Sequence, residues 1–459
     1  MKRTYPDGPS LKFWRVLVGR MLPEQYPFDP LAFQCEIAKK YGDITHFSLG
    51  PLHVYQLNHP TLIRQMLVEQ ADKFYKPRVV KWAMRPVAGE GLLTSDGALW
   101  KRQRKLIQPS LQHDRIAVYA RAMVEQTQSV LESYRDGEVR CIGADMSELT
   151  LGIMVKTLFG SDLPEEARGI GPLVTAVLEA TGERLNNAGL PIPPWVPTER
   201  NRRETRAIAE LEAILQLLIL RRRAAREAGG DLLSMLLAAT DEESGAGMSD
   251  QQLRDELATI FGAGHDTTAT ALTWTWWLLS EHPEVEARLV EELQRVLAGR
   301  LPEMSDLAKL PYTEMVIREA LRLYPPGPQF AREPIEDVTI GGFQIAKGAL
   351  VMVSVYSLHR DARFFADPER FDPIRFGPGW EERIPRYAYL PFGGGPRVCI
   401  GNGFAMMEAR LILATMAQRY RLALEENEPV TPVQLVTLRP NRPLRMRVEQ
   451  RTGAAFAAC

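Results

Sequence analysis

A mainly α-helical protein with a small β portion (α+β) is expected from this chain, and three observations predict it. Nine segments place apolar residues at helical spacing: 60–69, 98–106, 116–134, 146–158, 203–228, 250–280, 283–298, 312–323 and 403–420. Two stretches, 42–58 and 338–355, instead alternate apolar and polar residues around glycine-containing turns. The composition, 45% hydrophobic and 25% charged residues, is that of an ordinary globular chain.

In chain order, 42–58 reads as a hairpin turning at Gly50-Pro51, and 338–355 as a second alternating unit with turns at Gly341-Gly342 and Lys347-Gly348. Three interruptions separate the helices. Residues 75–93 read as a long irregular stretch with several basic side chains, 189–198 as a proline-rich apolar loop, and 241–247 as a polar linker before the longest helix. There are no internal repeats or low-complexity segments, and 1–459 is expected to be one domain although length alone would suggest about three.

A formal net charge of −1 gives no reason to expect nucleic acid as a partner. The four cysteines, Cys35, Cys141, Cys399 and Cys459, are scattered, which suits a reducing compartment better than a disulfide framework. The charged start of the chain is not followed by the apolar core of a signal peptide. No run approaches the roughly 18 apolar residues that a membrane span needs. A soluble, cytoplasmic protein without a membrane anchor is expected.

The most telling segment is Phe392-Gly-Gly-Gly-Pro-Arg-Val-Cys-Ile-Gly401. A lone cysteine in a glycine-dense loop lacks the second cysteine of a zinc knuckle. A single thiolate suits a metal whose other ligands come from a cofactor, and haem iron is the leading case. Glycines would let the backbone lie against a porphyrin and aim N–H groups at the sulfur of Cys399, while Arg397 would pair with a propionate. The loop resembles the haem-ligand signature of the cytochrome P450 family, Phe-x-x-Gly-x-Arg-x-Cys-x-Gly, through Phe392, Gly395, Arg397, Cys399 and Gly401.

A second constellation lies in 250–280, as Phe261-Gly-Ala-Gly-His-Asp-Thr-Thr268. Two glycines inside a helix cost roughly 1 kcal/mol each against alanine, so they need a reason. Thr267 can bond back to the carbonyl of Ala263, and Asp266 is a carboxylate in a largely apolar segment. Ala263, Gly264, Asp266 and Thr267 resemble the family's oxygen-groove motif. That resemblance implies that Asp266 relays protons to Thr267 beside bound dioxygen. For His265, between the matched positions, packing or a polar contact is expected instead of chemistry.

Glu319 and Arg322 share a helix face, as do Trp100 and Arg104. The family resemblance extends the first pair, with Arg375, to a buried structural triad behind the haem. It assigns Trp100 and Arg104, together with Arg332 and Arg397, to the propionates, and Phe261, Phe330, Leu435 and Val436 to the substrate pocket. It also implies the family fold, a triangular helix-rich prism holding haem b between a long central helix and the cysteine loop.

The activity implied is a haem-thiolate monooxygenase that inserts one atom of O2 into a lipophilic substrate. Its electrons would come from a separate ferredoxin or flavodoxin docking near Lys101, Arg102, Arg104 and Lys105. The alternatives are a peroxygenase or isomerase that does not use O2, and a non-enzymatic haem sensor. A fatty acid is the first substrate expectation, its carboxylate held by Lys76, Arg78, Lys81 or Arg85. A terpenoid, steroid or macrolide remains open.

Overall fold

The computed structural model describes residues 5–10, 29–112, 116–160, 170–186, 196, 198–224, 230–241, 245–426 and 428–451. Helix α1 (Pro30–Tyr41), capped by the Asp29 carboxylate, leads into the hairpin of β1 (Ile44–Leu49) and β2 (Leu52–Leu57). Then come α2 (Pro60–Arg64), extended by a π turn over Gln65–Glu69, and the short β3 (Phe74–Tyr75). Helices α3 (Arg78–Ala88), α4 (Gly97–Ile107) and α5 (Ala120–Leu131) precede β4 (Val139–Cys141) and α6 (Ile142–Phe159). Next are α7 (Ile170–Asn186), α8 (Glu199–Ala224), α9 (Leu232–Ala238), α10 (Asp250–Glu281), α11 (Pro283–Leu297) and α12 (Pro311–Leu323). Strands β5 (Gln329–Pro334), β6 (Val338–Ile340), β7 (Phe343–Ile345) and β8 (Leu350–Ser354) follow, then α13 (Val355–Leu358) and α14 (Trp380–Arg383). The last elements are α15 (Asn402–Ala417), β9 (Tyr420–Leu424), β10 (Pro432–Gln434), β11 (Leu438–Pro440) and β12 (Arg445–Gln450).

The organising element is α10, at 32 residues. Its N-terminus is fixed by Ser249, whose hydroxyl accepts the Gln252 N–H at 3.2 Å. Threonines at 267, 268, 273 and 275 return their hydroxyl protons to the carbonyl four residues earlier, which satisfies polar groups inside the core. Most of the helix is buried, with Leu272, Trp276 and Leu279 in one apolar cluster with Ile153 of α6 and Leu411 of α15. The largest sheet has the order β1-β2-β8-β5-β3 and forms a second, smaller core around Tyr55, Leu57, Ile63 and Val351. Among the described residues, no helix is long and apolar enough to cross a membrane.

The hairpin at 42–58 forms as expected, with Ile44 opposite Leu57 and a turn at Gly50-Pro51. The second alternating stretch does not stay together. Gly341-Gly342 closes the β6–β7 hairpin, whereas β8 leaves it to pair with β2, in parallel, and with β5. Hydrophobic alternation fixes which residues face inward but not which strand becomes the neighbour.

Residues 75–93 are not irregular, since they contain α3, with Pro86 inside its last turn. Proline hid the helix, and its end is held instead by tertiary contacts. The N–H groups of Glu90 and Leu92 donate to Asp255 and Glu256 of α10, both at 2.9 Å. Helix α7 also escaped the periodicity reading, because Gly171 and Gly182 weaken the local signal. Those glycines admit close neighbours: a Cβ would lie 2.3 Å from Leu151 Cδ2 at Gly171 and 3.3 Å from Val436 Cγ2 at Gly182. Most of the proline-rich stretch 189–198, residues 242–244 of the linker and Cys459 lie outside the described residues.

Candidate active site

The cysteine loop runs from the end of Leu390 into α15. The Cys399 N–H donates to Phe392 O at 2.9 Å, which closes the loop on itself, and within it the Val398 N–H donates to Gly395 O at 3.1 Å in one tight turn. Gly395 has φ +67°, and a Cβ there would sit 2.1 Å from the Leu67 carbonyl oxygen. A backbone atom cannot yield as a flexible side chain can, so this position requires glycine for two independent reasons. The crossing of the π turn behind the loop, more than approach to a flat ligand, explains that residue. Cys399 is itself exposed. Its sulfur is reachable by water yet closely surrounded by protein, and that partial desolvation raises its thiol, while the Gly401 N–H, Arg104 and Lys76 act in the opposite direction.

Around the loop stands a set of cations. Arg397 stacks over Trp100, its guanidinium carbon 4.2 Å from the ring centroid, and donates to Asp96 at 2.5 Å and to Ser95 O at 3.1 Å. Arg104 donates to Val398 O at 2.9 Å, which ties α4 to the cysteine loop. Arg332 is buried, donating to Ala331 O, and burial with the nearby Arg397 holds it down at about 10. Lys76 was expected in a substrate roof, but it sits within reach of Arg332, Arg397, Asp96 and Cys399. Burial and the two arginines hold it down at about 7. Asp96 binds this group together, accepting from Lys76 N, Arg397 and Lys81 Nζ. Neither Asp96 nor Lys76 was picked out for this role from sequence, because no fixed spacing links them to the cysteine motif.

On α10 the motif residues divide between faces. Ala263 is exposed in the middle of an otherwise buried helix, and Thr267, one turn on, donates to Ala263 O at 2.7 Å, the back-bond expected from sequence. Gly264 was expected to line the same groove. It turns instead toward α6, where a Cβ would meet Met154 Cε at 2.1 Å, so its lost side chain makes room for a neighbouring helix. Phe261 also departs from the pocket reading. It lies about 200° around the helix from Ala263, is 1% exposed and sits in the main core. His265 is buried, its Nδ1 3.0 Å from Phe261 O, which is the packing role expected.

Asp266 is engaged by two groups from the β10–β11 hairpin. Arg439 donates to Oδ1 at 2.5 Å and Thr437 to Oδ2 at 2.9 Å. Of the other pocket candidates, Phe330 is partly buried under the Arg332 guanidinium, Val436 packs against Gly182 of α7, and Leu435 is exposed.

Behind the cysteine loop, Glu319 and Arg322 form a two-pronged pair at 2.7 and 2.8 Å with both side chains fully buried. Arg322 also donates to the carbonyls of His359, Pro368 and Arg370, while Arg375 and the Asp372 N–H reach Glu319 Oε1 at 3.4 and 2.9 Å. Every strong donor and acceptor of the pair is matched, which a buried ion pair requires.

A cytochrome P450 family model matches residues 9–447. The chain belongs to the cytochrome P450 family. It is 38% identical over 425 residues to a cyclooctatin synthase of Streptomyces melanosporofaciens, covering 92% of each chain. It is 35% identical to a pentalenene oxygenase of Streptomyces avermitilis, covering 92% of this chain and 93% of that one. The crystal structure of the cytochrome P450DA heme domain superposes with a TM-score of 0.86 at 26% identity, over 98% of both chains. This P450 is therefore a monooxygenase that uses haem, O2 and electrons from a redox partner.

The residues present fit a haem. Lys76, Arg332 and Arg397 repel one another, and Asp96 is the anion that acts on all three, so the cluster is short of negative charge that two propionates would supply. The exposed face of Ala263 and Thr267 and the exposed sulfur of Cys399 are the two surfaces a flat group between α10 and the loop needs. Among the described residues, no three His, Cys, Asp or Glu side chains converge on a protein-only metal site.

This P450 also buries an acid that sequence reasoning missed. Glu408 of α15 is 0% exposed, and neither carboxyl oxygen has a donor in bonding geometry. The Thr268 hydroxyl beside it donates to Gly264 O at 3.2 Å. Burial pushes Glu408 up to about 8 from an ordinary 4.5. The folded state thus keeps a proton that the unfolded chain releases near its ordinary value, and stability falls as pH rises between the two. The slope approaches about 1.4 kcal/mol per pH unit. Glu408→Gln keeps the shape and removes the titration. Its melting temperature should gain on wild type as pH goes from about 5 to about 8.5. Parallel curves for the two proteins would show that Glu408 does not titrate in this window.

Proposed function

We propose that this P450 hydroxylates a neutral, cyclic terpenoid-type substrate. The observation that carries this reading is the state of the four cations in the 75–93 stretch. Arg78 pairs with Glu333 at 2.7 Å, Lys81 with Asp96 at 2.8 Å and Arg85 with Glu90 at 2.6 Å, while Lys76 belongs to the Arg332–Arg397 cluster. Arg78 and Arg85 are at least half exposed, where an ion pair contributes ~0–1 kcal/mol. None of these four cations is left as an unpaired, partly desolvated anchor for a fatty-acid carboxylate. The similarity to a pentalenene oxygenase points the same way.

Bound haem supplies the oxidising chemistry, and the protein supplies its ligand, protons and orientation. In this reading the group is haem b, with Cys399 as thiolate ligand and Arg104 and the Gly401 N–H tempering the sulfur's charge. Trp100, Arg104, Arg332 and Arg397, joined by Lys76, hold the propionates. Phe392 and Gly401 frame the loop. Ala263 leaves room beside α10, Asp266 passes protons to the Thr267 hydroxyl, and Glu319, Arg322 and Arg375 brace the segment behind the site. The electron donor is a ferredoxin or flavodoxin docking near Lys101 and Lys105, which are exposed on α4. Arg102 is instead tied to the carbonyls of Ala246 and Gly247. The enzyme acts in the cytoplasm as one catalytic domain.

Spectral titration of the haem-loaded enzyme with pentalenene, palmitic acid and methyl palmitate tests the substrate class. The hydrocarbon is expected to give a saturable spin-state shift, and acid and ester to bind alike and weakly. Tight acid binding lost in the ester would restore the carboxylate anchor and overturn this reading.

A further inference from the structure

Between the buried ion pair and the cysteine loop stands one imidazole. His359, at the C-terminal end of α13, is 0% exposed, and both of its ring nitrogens are engaged. Nε2 lies 2.8 Å from the Leu390 amide nitrogen and Nδ1 lies 3.0 Å from Arg322 O. A backbone N–H can only donate, so Nε2 must accept. The single proton of the neutral ring then sits on Nδ1 and is donated to Arg322 O. No other protonation state satisfies both partners. Burial, with the nearby Arg322 and Arg360 guanidinium groups, holds the ring down at about 3, so it is neutral at ordinary pH.

The ring is also fixed in orientation. It stacks on Tyr389 with centroids 5.1 Å apart and meets Phe365 edge-on at 6.1 Å. Tyr389 is itself tied to α12, its hydroxyl donating to Arg318 O at 2.9 Å. On one side, His359 and Arg322 are joined twice, because Arg322 Nη1 donates to His359 O at 2.8 Å. On the other side, Leu390 opens the cysteine loop. Its carbonyl accepts the Gly393 N–H at 3.0 Å, and Phe392 O accepts the Cys399 N–H at 2.9 Å. A continuous series of hydrogen bonds thus leads from Glu319 and Arg322 through His359 to the loop that carries Cys399. Nothing in the chain marked this histidine, which lies 37 residues from Arg322 and 31 from Leu390.

We propose that His359 is a positioning residue that holds the entry of the cysteine loop, and through it the sulfur of Cys399, in register with the buried Glu319–Arg322 pair. The inference rests on the reading of Cys399 as thiolate ligand given above. The loop's internal hydrogen bonds set its shape, whereas the imidazole sets where that shape sits. Arg104 anchors the far side of the loop at Val398 O, so the sulfur is held from both ends. Groups that orient a metal ligand from behind govern how firmly the metal is kept.

The test uses haem-loaded enzyme and three readouts besides turnover: the thiolate Soret band of reduced protein under carbon monoxide, the rate of haem transfer to apomyoglobin, and amide exchange at Leu390. His359→Phe keeps a flat ring between Tyr389 and Phe365 but cannot accept the Leu390 N–H. It is expected to lose much of the thiolate band, to release haem about 10–100-fold faster, the usual range for groups supporting a metal ligand, and to exchange faster at Leu390, with native circular dichroism. His359→Gln, whose amide oxygen reaches the place of Nε2, should restore most of the band. His359→Asn reaches only toward Arg322 O and should not. A role confined to stability would lower the melting temperature of both and leave their bands equal. Equal bands in Gln and Asn therefore overturn the proposal, as does a wild-type band and haem-transfer rate in His359→Phe. Should His359→Phe fail to fold, the Gln–Asn comparison decides alone. Wild-type enzyme without the thiolate band would instead bring down the ligand reading of Cys399, and this inference with it.

Discussion

Cys399→Ser is expected to abolish the thiolate signature of this enzyme while leaving its fold intact. Reduced wild-type protein under carbon monoxide should show the strongly red-shifted Soret band of thiolate ligation, and the variant should lose it along with monooxygenase activity. The expectation follows from the loop. The cysteine's N–H is committed to Phe392 O, so the loop keeps its turns without the sulfur, and the exposed thiol contributes little to the apolar core. Serine is a weak ligand for haem iron, and no other cysteine stands in the loop. Circular dichroism should therefore report a native helix content in the variant. A histidine-like spectrum in freshly prepared wild type would sink the assignment outright.

Glu319→Ala should have the largest effect on the fold. Removing that carboxylate leaves Arg322 charged at 0% exposure, with Arg375 close by and the Asp372 N–H without its acceptor. Stripping one partner from a buried pair costs roughly 3–5 kcal/mol. That is a large fraction of the roughly 5–15 kcal/mol by which a domain is stable. A fall in melting temperature of many degrees and poor haem retention are expected, both measurable before any assay of turnover. Glu319→Gln, which keeps the shape and some hydrogen bonding, should be less severe. Isolation of Glu319→Ala with full haem content and wild-type melting temperature would show that the buried pair is not a structural brace.

Much of this was legible in the chain because it is local. The cysteine loop is written in ten consecutive residues, the Asp266–Thr267 motif lies within one helix, and Glu319 and Arg322 are three residues apart. Periodicity located α10, α11, α12 and α15 because each buries one or more faces along its length. What escaped is non-local. The helix at Arg78–Ala88 is stabilised by carboxylates some 165 positions away, and Lys76 joins Arg332 and Arg397 only because three distant segments meet.

By itself, then, the sequence determined the helix-rich class, the lone cysteine of a glycine-dense loop, and the carboxylate and hydroxyl set side by side on the longest helix. Those depend on spacing along one element, where backbone geometry alone brings residues together. Only the tertiary structure decided how those groups are used. It turned Gly264 toward Met154 and Phe261 into the core, paired the cations that might have held a carboxylate, and closed Arg439 and Thr437 over Asp266. Charges attract over a few ångströms whatever their separation in sequence, so the partner of a buried ion is set by the packing of whole elements.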